Sequence, residues 1–213
     1  MPAGDLRPPR QERTQAAWER ILDAGVAILD EHGYEGFTIA SICARAGVTP
    51  PTIYARVRGK EALFFAVFEH GFEPVRRRQQ EELTAAGTGT VSPQDAVRQA
   101  ITAIVTTTLV HERFLRTIVH RAEDDDEIAR RTRDARAGTA TRFRELVLRH
   151  PEALRDAAPE RIDRCFRVVF AALMARVAFG TSLDIGAETS DAEFLSDLQE
   201  IALRTLFRET AAS

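Results

Sequence analysis

Residues 38–60 (TIASICARAGVTPPTIYARVRGK) leave room for two short helices with only a tight turn between them, and that pair constrains the chain more than any other segment. Thr38 can cap a helix whose apolar face is Ile39, Ile42, Cys43 and Ala46, the spacing of one core-facing stripe. Gly47 follows where a left-handed terminator is wanted, and Val48 can fold back as its hydrophobic contact. Thr49 then caps a second helix with Pro50 at its first position, where a missing N–H costs nothing. Ile53 and Val57, four residues apart, hold that helix onto its domain. Thr52, Tyr54, Ala55, Arg56 and Arg58 are left to face outward. A helix-turn-helix of this form lays its second helix in the major groove, so double-stranded DNA is the expected partner.

The rest of the composition narrows the alternatives. A length of 213 residues suits one large domain or two modest ones, and a charged fraction of 29% with 44% hydrophobic residues suits a soluble globule. A net charge of −3 argues against a protein coated in nucleic acid, but it leaves room for a local basic patch. Lys60 stands alone as lysine; the other 28 basic residues are arginine. Cys43 and Cys165 have neither metal-ligand spacing nor a disulfide framework, which suits a reducing compartment. Cys43 falls on the core face of its helix and reads as a small buried hydrophobe. No apolar run approaches the roughly 20 residues of a membrane span, and the first residues lack a signal-peptide core. A cytoplasmic protein without a membrane partner is expected. His32, His70, His111, His120 and His150 are scattered, with no nucleophile, paired carboxylates or ligand cluster beside them. Neither catalysis, nor a metal, nor a cofactor is expected. The acidic run 123–127 (EDDDE) reads as the charged start of a helix.

Along the chain, residues 1–13 read as a flexible arm, either a solvated tail or a means for Arg7, Arg10 and Arg13 to reach phosphate or the minor groove. A first helix is expected over 14–32, with Ile21, Ala24, Ile28 and Leu29 inward and Gly33 ending it. From Lys60 a long helix carries Leu63, Phe64, Val67, Phe68 and Phe72, and Gly71 with Pro74 should kink or break it. That bend is either a hinge or static. Residues 85–92 form a small-residue loop. Residues 101–110 are β-branched enough to suggest a strand, yet Ile101, Ile104, Val105 and Leu109 keep helical spacing, so a helix is expected. Further helices follow over 112–122, from the acidic run to about 149, over 161–180 and over 191–210, with a loop at 181–189. The arginines between 130 and 149 read as a solvated face. The fold class is all-α: a three-helix helix-turn-helix domain at 14–60, then a helical body at 61–213.

Residues 18–67 resemble the DNA-binding domain of the tetracycline-repressor (TetR) family of bacterial transcriptional regulators. The resemblance rests on Ile21-Leu22-Asp23-Ala24, Glu31-His32-Gly33-Tyr34, Phe37-Thr38, Ile42, Ala46-Gly47-Val48, Thr52-Ile53-Tyr54 and Gly59-Lys60-Glu61-Ala62-Leu63, in order and at the family spacing. Three residues depart from it: Gly25 where alanine is usual, Pro51 where a small residue is usual, and Val57 where phenylalanine is common. On propensity alone Gly25 should weaken its helix by roughly 1 kcal/mol relative to alanine. Pro51 stiffens the second helix and removes an N–H that might meet phosphate.

The resemblance implies a homodimer, most simply a repressor, that binds a pseudopalindromic operator and leaves it on binding a small-molecule effector. It implies that Thr38, Tyr54 and Lys60 meet phosphates. Thr49, Pro51, Thr52, Ala55 and Arg56 are the candidates for base edges, and Pro50 and Arg58 complete the DNA-facing set. The effector pocket is expected among Phe114, Ile118, Phe143, Phe166, Phe170 and Met174, with His120 or Arg121 as a polar tether. The last two helices are expected to pair across the dimer through Val169, Leu173, Val177, Phe194, Leu198 and Ile201, although an internal core would give the same stripes. The alternative is a helical ligand-binding protein of the same fold that does not regulate through DNA.

Overall fold

The computed structural model describes residues 10–89 and 91–208, with side chains from residue 14 onward. Among them lie nine α-helices: α1 (Arg10–Gly36), α2 (Ile39–Ala46), α3 (Pro50–Tyr54), α4 (Lys60–Ala85), α5 (Pro93–Val110), α6 (Glu112–Asp124), α7 (Asp126–Val147), α8 (Pro159–Phe179) and α9 (Asp191–Leu206). A short 3-10 turn, Pro151–Ala153, precedes α8. Contacts divide the chain between Pro74 and Val75 into two units, and α4 contributes to both.

In the first unit, Ile21, Ala24, Ile28 and Leu29 of α1 are buried, as their spacing predicts. The helix begins at Arg10, inside the segment expected to be a flexible arm. Arg7 and the side chains of Arg10 and Arg13 lie outside the described residues. Gly33 breaks α1 at φ 61°, ψ −165°, a conformation that glycine enters without a Cβ clash. The chain then turns so that Phe37 enters the core, where its ring meets Phe64 edge-on at 5.6 Å and Tyr34 at 6.3 Å. Leu63, Phe64, Val67 and Phe68 of α4 are fully buried in this unit. Gly25 faces them, and a Cβ added there would lie 2.5 Å from Val67 Cγ2. The glycine is therefore a close-approach site between α1 and α4, and the propensity argument for alanine fails at this position.

Pro74 does not break α4, contrary to the sequence expectation; the helix runs through it to Ala85. Proline removes one hydrogen bond to the carbonyl four residues back and crowds it, at about 3 kcal/mol. Val75 and Leu83 beyond it are buried, each worth roughly 1.5–3 kcal/mol. Arg78 adds an ion pair to Glu82 at 2.8 Å. Together these outweigh the local cost.

The second unit packs around Val97, Ile101, Ile104 and Val105 of α5, Phe143 and Leu146 of α7, Phe166, Val169 and Leu173 of α8, and Leu198, Ala202 and Leu206 of α9. Burial of this stripe decides the β-branched run of α5 in favour of helix. Asp125 caps α7 by accepting from the N–H groups of Glu127 and Ile128. Ser190 and Glu193 form a capping box that starts α9. Arg176, itself buried, donates to Asp184 at 3.3 Å, to the Thr189 carbonyl at 2.6 Å and to Asp191 at 3.0 Å. One guanidinium thus ties the 181–189 loop between α8 and the start of α9. The last helix stops at Leu206, short of the expected residue 210. Phe207 turns into the core instead and bridges Leu154, while the Arg155 N–H donates to the Leu206 carbonyl at 2.9 Å.

Candidate nucleic-acid interface

Thr38 begins the exposed segment as the cap of α2. Its hydroxyl accepts from the Ser41 N–H at 3.0 Å, and its own N–H donates to the Ser41 hydroxyl at 3.1 Å. Ser41 in turn donates to the Gly36 carbonyl at 2.8 Å, fixing the entry to the helix. Ile42, Cys43 and Ala46 are buried and Ile39 half-buried, so the expected stripe is present. Burial pushes the Cys43 thiol up from its ordinary value. At the far end Gly47 adopts φ 65°, ψ 41°, and its N–H donates to the Cys43 carbonyl, the left-handed stop that the sequence predicts. Arg45 holds Glu31 of α1 through two 2.6 Å bonds, which keep the Glu31 carboxyl below the usual carboxylate range. His70 and Asp23, 2.7 Å apart, tie α4 to α1.

Across the turn, α3 differs from expectation in one detail. Thr49 occupies the cap position, but its side chain makes no capping bond. Pro50 and Pro51 carry no N–H, and the first available one, on Thr52, donates to the Thr49 carbonyl at 2.9 Å. The Thr49 hydroxyl instead lies 3.4 Å from that of Thr52. Two hydroxyls are thereby grouped on the surface of a helix whose Ile53 is fully buried. Pro50, Pro51, Tyr54, Ala55, Arg56 and Arg58 are exposed beside them, and Thr52 is half-buried. Thr38 and Thr49 are exposed as well.

Lys60 opens α4, the position where an anion is favoured by the helix N-terminus. Its Nζ sits 4.1 Å from the centroid of the Tyr34 ring, and the Tyr34 hydroxyl donates to Glu61 Oε1 at 2.5 Å. Tyr34 was not among the expected site residues. It entered the sequence reading only as part of the motif Glu31-His32-Gly33-Tyr34, which does not announce that the ring would lie beneath the lysine. The Arg56 guanidinium lies 5.4 Å from the Trp18 ring of α1, another neighbour that the sequence does not announce.

This segment is what known proteins share with the chain. Residues 21–67 match the family model described as "Bacterial regulatory proteins, tetR family". Over that segment the chain carries a TetR-type DNA-binding domain. Among curated relatives it is 32% identical over 71 residues to the A-factor receptor protein of Streptomyces griseus, covering 33% of this chain and 26% of that protein. It is 33% identical over 69 residues to the class D tetracycline repressor protein of Escherichia coli, covering 32% of this chain and 30% of the repressor. The chain thus spans roughly a quarter to a third of the length of the curated relatives it matches. The fold likeness reaches further. A Mesorhizobium loti protein assigned to the TetR family of transcriptional regulators superposes with a TM-score of 0.72 at 19% identity, covering 91% of this chain and 96% of that one. The TetR family transcriptional regulator PfmR of Thermus thermophilus superposes at 0.64 and 17% identity, covering 89% of this chain and all of its own. At such identities the likeness shows the fold: a TetR-type helical body that follows the helix-turn-helix along the chain.

In that body the expected pocket residues divide. Phe143, Phe166, Phe170 and Met174 meet in one cluster, with ring centroids 5.7 Å apart for Phe143 and Phe166 and 5.5 Å for Phe166 and Phe170. Phe114 and Ile118 of α6 are buried outside that cluster. Arg121 lies 3.8 Å from Asp125, and His120 is exposed. The expected dimer residues need correction. Val169, Leu173, Val177 and Leu198 are buried within one protomer and have no surface left for a second copy. Both faces of α8 carry apolar residues, so periodicity alone could not tell inward from outward. Phe194 is half-buried under Arg176, with the guanidinium 5.3 Å from its ring. Ile201 is exposed, as are Val168 and Phe179 of α8. Among the described residues, no helix is long and apolar enough to cross a membrane and no carboxylate, histidine or thiol group is arranged to hold a metal ion.

Proposed function

We propose that the chain is a homodimeric, cytoplasmic, DNA-binding transcriptional regulator, a repressor that leaves a pseudopalindromic operator when a small molecule binds its helical body. Residues 14–60 serve as the DNA-binding domain and 61–213 as the effector-binding and dimerisation domain. The observation that carries this is the exposed α3 face, in which Thr49, Thr52, Tyr54 and Arg56 stand around a helix anchored by buried Ile53. A five-residue helix with its hydroxyls and cation outward has little to gain as a packing element and suits a groove. Thr38, Tyr54 and Lys60 meet phosphates. Thr49, Pro51, Thr52 and Ala55 approach base edges, with Pro50 and Arg58 flanking them.

The second copy docks on the outward faces of α8 and α9, through Val168, Phe179 and Ile201, which a monomer would leave in water. The effector enters among Phe143, Phe166, Phe170 and Met174, an apolar group that suits a largely apolar molecule. Effector and DNA then oppose one another through their different affinities for two states of the dimer, typically by 1–3 kcal/mol. A gel shift with the DNA that flanks the chain's own gene, followed by footprinting, tests the proposal. A retarded complex with a discrete protected site supports it. No retardation with that DNA or with a random-sequence library favours a helical ligand-binding protein that has kept the fold without the regulatory activity.

A further inference from the structure

Arg56, like Lys60, is a DNA-facing cation that the structure ties back to α1. It lies just past the end of α3, and its Nη2 donates to the Thr14 carbonyl of α1 at 3.4 Å. Its guanidinium carbon lies 5.4 Å from the ring centroid of Trp18, one turn further along α1. The guanidinium is therefore held against the outer side of α1.

We infer that Arg56 is withheld in the DNA-free protein, and that binding to duplex DNA transfers its guanidinium from Trp18 and Thr14 to the nucleic acid. This rests on the reading of α3 as the groove helix. Both perch contacts are weak ones: the hydrogen bond is at the outer limit of length, and the ring contact is only half-sheltered from water. A phosphate oxygen or the paired acceptors of a guanine edge offer charge-assisted or bidentate contacts, which are stronger. DNA therefore wins the guanidinium, and each binding event must first undo the perch.

Trp18 is the sole tryptophan of the chain, so the transfer can be followed directly. Isotope-labelled protein is examined by NMR alone and with a duplex that the protein itself selects from a random-sequence library. In the free protein the Arg56 side-chain protons should be shifted upfield by the indole ring, a set identified by its loss in Arg56→Ala. With the duplex they should return to ordinary positions. Trp18→Leu should bind the same duplex about 2- to 5-fold more tightly, since the perch no longer competes. Arg56 protons that stay upfield in the complex, or that are never shifted in the free protein, overturn the inference and leave DNA binding untouched. Weaker binding by Trp18→Leu, with its melting temperature unchanged, would make the perch a fixed strut and overturn it too. Failure to select any duplex would sink the groove-helix reading itself, and the inference with it. The shift measurement needs only the wild-type chain, so it stands even if Trp18→Leu folds poorly.

Discussion

Lys60 owes its place to Tyr34, whose ring lies 4.1 Å beneath the ammonium. A cation so placed is aimed before any phosphate arrives. Lys60→Ala should weaken binding to every duplex alike and lower the slope of log affinity against log salt by about 1. Altered operator preference with an unchanged slope, measured by fluorescence anisotropy across salt, would remove Lys60 from the phosphates. Gly25 provides a second test at this scale. Propensity favours alanine by roughly 1 kcal/mol, but a Cβ there meets buried Val67 at 2.5 Å, and overpacking costs typically 1–3 kcal/mol. Gly25→Ala should therefore destabilise the wild type by about 1 kcal/mol and stabilise a Val67→Ala background, as read by urea unfolding. The same sign in both backgrounds would show that no close approach exists. The motif displayed Gly25, Tyr34 and Lys60 one at a time. What it could not display was their neighbours, because Val67 and the face of Tyr34 come into play only once α4 packs on α1.

At the scale of elements, local rules served well wherever they acted alone. Gly33 and Gly47 both stop helices with positive φ, and the acidic run starts α7 through its Asp125 cap. They misled wherever packing outweighed them. Pro74 should have interrupted α4, and α9 should have continued past Leu206, but the burial of Val75 and Leu83 and of Phe207 prevailed. The outward and inward stripes of α8 were indistinguishable for a related reason: both are apolar, and only the fold decides which is core. The arginines read as a solvated face are mostly exposed, and some of them also pair with acidic neighbours on that face. Arg130 and Arg131 both donate to Glu127, at 2.8 Å and 2.6 Å, and hold its carboxyl down to about 2. Since the folded value lies below the ordinary glutamate value of 4.5, the stabilisation is complete above about pH 5 and is lost as the pH falls toward 2. Glu127→Gln should thus lower the melting temperature at pH 7 by no more than about 3 °C, and the difference should shrink on acidification. A difference that grows toward pH 3 would show that the carboxylate is not held in this way.

For the whole molecule, the TetR-type helix-turn-helix was legible from 38–60 because capping, glycine stop and proline start all act within a few residues. The body was legible only as a set of helices. The proposed pocket and interface depend on which apolar residues remain uncovered after folding, and no periodicity records that. The central claim is that two protomers present α3 to successive major grooves of one duplex. Hydroxyl-radical footprinting on a duplex selected by the protein, with mass photometry of the same complex, tests it most directly. Two protomers per duplex with protections centred about 10 base pairs apart are predicted. A single protomer per duplex, or protections that follow no helical-turn spacing, would contradict it.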